Sequence, residues 1–450
     1  MIRAKYQFPK GFLWGTATAA HQVEGKNLNN DWWQWEQQAD HILHGHQSGE
    51  ACGWWDGMWA GDLDRAVEGF QNAHRMSIEW SRIEPHPAVW DESALDHYRE
   101  ILSGMRERGI EPMVSLVHFS HPLWFIDRGG WLDDQSIALF ERYVRKSVLA
   151  LKDLVRRWVT INEPNVYVYS GYVEGVFPPG MKDIRLAPVL SRNLLKAHAA
   201  GYRAIHDLQP EAEVGIAHHY RSFQPSDPHS PLDRIVTRFR HHGFNTVFPE
   251  AIKTGKMRML HWRESLPEVK DTQDFFGLNY YTRESVEVDL RKPGEVLKTG
   301  GFPEGADISP TGFIANEPDG FWEALSWAHR YDLPIYITEN GIEDSEDRIR
   351  SRFLASHIHT LWRAANFNWK IKGYYHWTLV DNFEWERGWT QRFGLWKMDP
   401  KTGVRTKRRA ADFFAEICKE NSLTSSAVAE YAPEVLDNIF PPRQPDDLSI

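Results

Sequence analysis

Eight short segments rich in β-branched, aromatic and small residues recur along the chain, at 13–19, 74–80, 112–117, 158–162, 213–218, 274–281, 334–339 and 373–380. Such runs read as strands. Between them apolar residues return at helical spacing: Ile137, Phe140, Val144, Val148 and Leu151 share one face, and similar patterns occupy 95–108, 190–208, 321–331, 349–365 and 408–420. Strand, helix and strand in alternation predict parallel pairing through crossover helices. Eight repeats favour closure of the sheet on itself, and no G-x-G-x-x-G turn follows the first segment, as an open nucleotide-binding sheet would ask. The fold class expected is therefore α/β: a (β/α)8 TIM barrel, one domain over 1–450 with long active-site loops. A length of 450 residues would by itself suggest two or three domains, but a barrel absorbs it in one core.

Glycine, proline and charge cluster at 283–310, which predicts a long excursion after the sixth strand, a wall of the active site. The stretch 431–450, with its prolines and acids, is expected to be an irregular C-terminal tail. Hydrophobic residues at 42% and charged residues at 25% suit a large core and argue against disorder. The net charge of −10 and the lack of a Lys/Arg run argue against nucleic acid or an anionic membrane as partner. Only Cys52 and Cys418 occur, residues 1–10 lack an apolar signal core, and no apolar run nears the ~20 residues that span a bilayer. The expected location is the reducing cytoplasm. The 21 Trp, 23 Phe and 15 Tyr are mostly core, but rings beside polar groups, as at Trp54-Trp55 and Trp385, suit the faces of sugars.

In a barrel of this kind chemistry sits at the C-terminal ends of the strands. The fourth segment ends Thr160-Ile161-Asn162-Glu163-Pro164, an apolar run stopped by a carboxylate and a proline; the seventh ends Ile337-Thr338-Glu339-Asn340-Gly341, a carboxylate before a turn glycine. A lone strand-end glutamate is as readily an ion-pairing or capping acid. Two of them on opposite sides of one barrel mouth point at one pocket. Breaking an acetal between sugars needs a proton for the leaving oxygen and a negative group facing the oxocarbenium-like centre, which a carboxylate pair supplies.

At these residues the sequence resembles the family 1 glycoside hydrolases, whose Asn-Glu-Pro carries the acid/base and whose (Ile/Val)-Thr-Glu-Asn-Gly carries the nucleophile. The likeness runs over nearly the whole chain, from Phe8-Pro-Lys-Gly-Phe-Leu-Trp-Gly-Thr-Ala-Thr-Ala to Trp377-Thr-Leu-Val-Asp-Asn-Phe-Glu-Trp385. It implies a retaining, exo-acting β-glycosidase on terminal nonreducing β-D-glucosyl, galactosyl or fucosyl residues, with Glu163 as acid/base and Glu339 as nucleophile. It also implies Gln22, His118, Asn162, Glu384 and Trp385 as hydrogen-bond partners of the sugar, Asn162 towards the 2-hydroxyl, with Trp377 under the ring. Arg75 and Tyr281 would stand beside Glu339 and keep it ionised, while Glu163, in a less charged place, would have its pKa raised. By themselves His118 also reads as a satisfied core histidine and Arg75 as a structural ion pair. Departures from the family pattern fall on the leaving-group side: Phe119 follows His118, and Thr311-Gly312-Phe313 stands near a usual Gly-Trp. Glu384 would repel a sugar 6-phosphate.

His41, His44 and His46 and the pairs His218-His219 and His241-His242 admit a metal reading, but no H-E-x-x-H occurs, so no metal is expected. No organic cofactor is implied either, for want of a P-loop or dinucleotide signature. The expected partners are small β-glycosides or short oligosaccharides, with no nucleic acid and no membrane, on a monomer or a homo-oligomer. Three other readings share the scaffold: a close enzymatic cousin with a restricted natural aglycone or a mainly transglycosylating role, a sugar-binding protein without catalysis, which would lack one carboxylate, and a metal-dependent barrel hydrolase, which chelation would silence.

Overall fold

The computed structural model describes residues 4–289, 291 and 301–442. Each of the eight expected segments is a strand: β1 (Leu13–Ala17), β2 (Ala73–Ser77), β3 (Glu111–Val117), β4 (Arg157–Asn162), β5 (Glu213–Pro225), β6 (Phe275–Val286), β7 (Ile335–Asn340) and β8 (Ile371–Trp377). Each pairs in parallel with its neighbour in sequence, and β8 returns to β1, so the sheet closes into a barrel. A helix follows each strand: α1 (Trp59–Glu68), α2 (Glu92–Glu107), α3 (Ser136–Leu151), α4 (Ala187–Leu208), α5 (Val247–Thr254), α6 (Pro318–His329), α7 (Arg350–Asn366) and α8 (Arg409–Glu420). The sequence pattern misses α1 and α5, whose 10 and 8 residues give the periodicity too few turns to show.

Side chains alternate between lumen and helices along each strand. On the outer face Phe276, Leu278 and Tyr280 of β6, Ile335 and Ile337 of β7 and Tyr374 of β8 join Phe321, Leu354, Ile358 and Phe414 of the helices in one buried cluster. At the N-terminal ends of the strands Arg157 plugs the lumen, paired with Glu111 at 3.1 Å and Glu213 at 3.0 Å. β5 and β6 run beyond the segments expected for them and stay paired from Ser222↔Arg283 to Pro225↔Val286. Arg221 and Arg283 interrupt the apolar pattern there. Their charges are met by Glu284 at 3.1 Å and Glu323 at 2.8 Å, so the ladder continues.

Of the excursion expected at 283–310, residues 290 and 292–300 lie outside the described residues; beyond them Asp307–Ile308 pairs with Ala315–Asn316. The stretch from 431 is more ordered than its composition suggests. A 3-10 turn at Pro433–Val435 leads into Leu436–Ile439, whose Ile439 is buried and whose carbonyl accepts a hydrogen bond from Tyr6 Oη at 2.5 Å. Residues 443–450 lie outside the described residues. No described helix is long and apolar enough to cross a membrane.

The loop after β8 is clasped to α8 by a buried ion pair. Both nitrogens of the Arg408 fork reach Asp381, at 2.8 and 2.9 Å, and Asp381 Oδ1 also accepts from Gly394 N at 2.9 Å. Both residues are buried, so neither charge is stable without the other. Asp381→Ala is expected to cost about 3–5 kcal/mol, read as a lowered urea midpoint with an unchanged slope.

Candidate active site

The ends of β4 and β7 depart from strict alternation, and the departure is what builds the site. On β4, Trp158 and Thr160 face outward, to Gln209 Oε1 at 3.0 Å and His198 Nδ1 at 2.7 Å. Alternation would send Asn162 the same way. A register irregularity against β5 between Val159 and Asn162 turns it into the lumen. Glu163 then adopts left-handed backbone, φ 43° and ψ 57°, and Pro164 opens the helix Pro164–Tyr169, so the chain leaves the sheet with the carboxyl at the barrel mouth. On β7, Ile337 faces outward, and an irregularity against β6 between Ile337 and Glu339 brings Glu339 inward. Asn340 goes to the outer side instead, donating to Tyr280 O at 2.7 Å and accepting from Tyr374 Oη at 2.9 Å. Gly341 is not in left-handed backbone, as a turn glycine would be. It is a close-approach glycine: a Cβ there would stand 2.1 Å from Trp377 O.

One hydrogen-bonded chain joins the two carboxylates. Arg75, fully buried on β2, donates from Nη1 to Glu339 Oε1 at 2.6 Å and from Nη2 to Asn162 Oδ1 at 2.5 Å, while Nε reaches Ser115 Oγ at 3.1 Å. Tyr281 Oη donates to Glu339 Oε2 at 2.6 Å. Asn279 Nδ2 bridges Asn162 Oδ1 at 3.2 Å and Glu163 Oε1 at 2.8 Å. The same oxygen of Glu163 receives His219 Nδ1 at 2.8 Å.

Because Asn162 Oδ1 accepts from Arg75, its Nδ2 is the atom that faces His118 Nε2, at 2.9 Å. That nitrogen is then the acceptor, and the ring proton lies on Nδ1, which is buried with no partner among the described residues. Burial and the Arg75 charge push His118 well below the usual imidazole range, so it is neutral. Gln22 donates from Nε2 to Phe383 O at 2.6 Å and Glu384 Oε2 at 3.1 Å, which leaves its buried Oε1 equally without a partner. Trp385 stacks on His118 with centroids 5.8 Å apart, and Trp377 lies 6.0 Å from the same ring. Gln22, His118, Asn162, Trp377, Glu384 and Trp385 thus meet Arg75, Glu339, Tyr281 and Glu163 at one barrel mouth. Phe119, in left-handed backbone, packs on Trp385 at 5.2 Å, and Phe313 lies under the Arg387 guanidinium at 5.0 Å.

The proton balance differs from the sequence expectation. Burial, with the added charge of Glu163, lifts Glu339 to about 7 against the pull of Arg75. Burial raises Glu163 too, but the charge and hydrogen bond of His219, the amide of Asn279 and the charge of Arg75 outweigh it and hold Glu163 below the ordinary carboxylate value. Two buried carboxyls that feel each other titrate as a pair. The pair therefore shares one proton over part of the pH range, and the donors around Glu163 favour its carboxylate form. Glu384 is raised to about 8 by burial and by Glu386 and Glu339.

Sequence reasoning singles out neither Asn279 nor His219 for this site. The signal available was the period-2 set Gly215, Ala217, His219, the lumen face of β5. The histidine pairs come apart in space: His218 faces outward onto Phe276 at 4.5 Å, and His242 Nε2 turns to Arg258 O at 3.2 Å. Among the described residues no three His, Cys, Asp or Glu side chains are grouped to hold a metal ion.

A closed parallel barrel with paired carboxylates and unpartnered polar atoms at its mouth has the form of a sugar-cleaving hydrolase. Residues 4–423 match the model of glycosyl hydrolase family 1. The chain is similar to beta-glucosidase A of Thermotoga maritima, 30% identical over 93% of this chain and 99% of that protein. It is likewise similar to a beta-galactosidase of Pyrococcus woesei, 30% identical over 94% and 99%. Among solved structures, a beta-glycosidase from Pyrococcus horikoshii superposes with a TM-score of 0.88 at 34% identity, over 95% of this chain and 98% of that one. The Thermotoga maritima beta-glucosidase in complex with glucoimidazole gives 0.86 at 30% identity, over 93% and 100%. This chain belongs to glycosyl hydrolase family 1. It is a β-glycosidase, a hydrolase of β-glycosides.

Proposed function

We propose that the enzyme is a retaining, exo-acting β-glycosidase for terminal nonreducing β-D-glucosyl residues, with galactosyl and fucosyl residues also accepted, and that 1–450 form one catalytic domain acting in the cytoplasm on small β-glycosides or short oligosaccharides. The observation that carries this reading is the different surroundings of the two carboxyls. Glu339 accepts a guanidinium N–H and a phenol O–H, one on each oxygen, which hold it in place as a nucleophile. Glu163 takes both its donors on Oε1, so Oε2 is the oxygen for the glycosidic bond.

In the first step the pair's proton must stand on Glu163, a redistribution within the pair without change of net charge. It passes to the leaving oxygen as the glycosidic bond breaks and Glu339 bonds to the anomeric carbon; Glu163, now a carboxylate, then takes a proton from water, whose oxygen bonds to the anomeric carbon and displaces the Glu339 carboxylate. Asn162 and Arg75 hold the 2-hydroxyl side, and Gln22 Oε1 and His118 Nδ1, an acceptor and a donor without partners among the described residues, suit two neighbouring hydroxyls. Glu384 and Trp385 complete the polar wall over Trp377, and the rim at Phe119 and Phe313 would touch the leaving group.

The two glutamates separate by what each supplies. Glu339→Ala removes the nucleophile, so hydrolysis is expected to fall by several orders of magnitude whatever the leaving group. Glu163→Ala should cost roughly 10²- to 10⁴-fold with a poor leaving alkoxide and less with a dinitrophenolate, which needs no proton. Azide should rescue the Glu163 variant with a β-glycosyl azide and the Glu339 variant with an α-product. Exchanged anomers, read by NMR, would reverse the assignment.

The pH profile follows from the pair. Its upper value, about 7, is raised, so the proton needed by the leaving group is present below it and lost above it. The kcat/KM for an alkyl β-glycoside is expected to decline as pH rises through about 7. A sugar 6-phosphate would meet Glu384, whose carboxyl is already raised to about 8 by burial and by the charges of Glu386 and Glu339, so a further negative group there is disfavoured. A β-glucoside is therefore expected to be hydrolysed in preference to its 6-phosphate, and direct competition of the two substrates checks it.

A further inference from the structure

We propose that His219 is a positioning residue for the acid/base: its Nδ1–H pins Glu163 Oε1, favours the carboxylate form, and so sets the pH at which this enzyme can donate a proton. The inference rests on the acid/base reading of Glu163. It concerns a residue that neither the strand-end motifs nor the sugar contacts include.

The ring is held for this task. Its backbone carbonyl accepts from Asn165 Nδ2 at 2.9 Å, and the same amide nitrogen donates to Phe244 O at 3.0 Å, tying β5 to the helix after Glu163 and to the segment before α5. The imidazole stacks on Tyr281 with centroids 5.8 Å apart and meets Phe244 edge-on at 5.6 Å. Between these rings it presents Nδ1 to Glu163 Oε1 at 2.8 Å. An ionised carboxylate only accepts, so Nδ1 must carry a proton whether the ring is neutral or charged. The charged and titratable groups around it are Glu163 itself, Tyr281 and Glu339 across the mouth, Arg75 on β2, Arg221 on β5 with its partner Glu284, and Arg240 on Pro231–His241, which pairs with the same Glu284.

A donor to the charged form stabilises that form. His219 therefore makes Glu163 a readier donor once protonated and keeps the carboxylate in place for the second step, at the expense of the alkaline range. It also fixes which oxygen is free, because both protein donors converge on Oε1 and the proton for the leaving group must sit on Oε2. A ring that merely filled space would do neither.

The experiment compares the full-length enzyme with His219→Phe, which keeps the ring and removes the donor, and His219→Asn, which restores a donor at the position of Nδ1. With an alkyl β-glycoside, the alkaline limb of kcat/KM should move up by about 1 pH unit in His219→Phe and return towards wild type in His219→Asn. With a dinitrophenyl glycoside, whose departure needs no proton, kcat/KM in His219→Phe should stay near the wild-type value. An unmoved limb, or equal losses on both substrates, overturns the proposal. The 15N resonances of His219 in the unaltered enzyme give a readout that does not depend on a variant folding: in the neutral ring a protonated Nδ1 and a bare Nε2 are expected, and the opposite tautomer overturns the proposal. Failure of the acid/base reading looks different, since Glu163→Ala would then lack its leaving-group dependence. If that dependence is present and the His219→Phe limb stays put, only the role of His219 is lost.

Discussion

A guanidinium with no access to solvent must find every partner inside the protein, and Arg75 finds them on three strands. Its three nitrogens reach Ser115 on β3, Asn162 on β4 and both the carbonyl of Thr338 and the carboxylate of Glu339 on β7. Taking away one partner of such a buried charge costs about 3–5 kcal/mol, because the other is left stranded in low dielectric. The geometry of the barrel mouth is therefore bound to this one side chain. Asn162 is oriented by Arg75, His118 takes its tautomer from Asn162, and Glu163 is tied back through Asn279.

The charge balance follows from the same burial. Two carboxyls close together in a dry pocket cannot both stay ionised at modest pH, and the donors around them decide where the remaining proton goes. Arg75 and Tyr281 serve Glu339; Asn279 and His219 serve Glu163. A third acid, Glu384, is lifted by its burial and by its neighbours Glu386 and Glu339. The mouth thus combines one fixed cation with several protonatable acids, an arrangement that suits neutral sugars better than anions.

Some of the molecule's backbone strain lies at the same place. Glu163, Phe119 and Trp385 all adopt left-handed backbone with φ of 43°, 67° and 45°. Such conformations cost non-glycine residues on the order of 1–3 kcal/mol each and persist where the surroundings over-determine them. Here the surroundings are Pro164 and its helix behind Glu163, and the packed rings of Phe119, Phe177 and Trp385. The Asp381–Arg408 clasp holds the loop that carries Trp385 from behind.

The strands, their order and the two glutamates at the ends of β4 and β7 were legible in the sequence, because hydrophobic periodicity and a terminating proline are local signals. The same holds for the motifs around Gln22, His118 and Trp377 to Trp385, which a family likeness carries in linear order. What only the tertiary structure decided is which way the functional side chains point. Strict alternation would have turned Asn162 and Glu339 outward, and the irregularities that turn them inward arise from register against β5 and β6, strands far away in sequence. Gly341 looked like a turn residue and proved to be the gap that admits Trp377 O. The direction in which the surroundings push Glu163 was likewise misjudged, since Arg75 was visible as a neighbour of Glu339 whereas the His219 donor to Glu163 exists only once β5 lies beside β4. Period and composition are properties of a segment; register, burial and the sharing of a proton are properties of segments brought together.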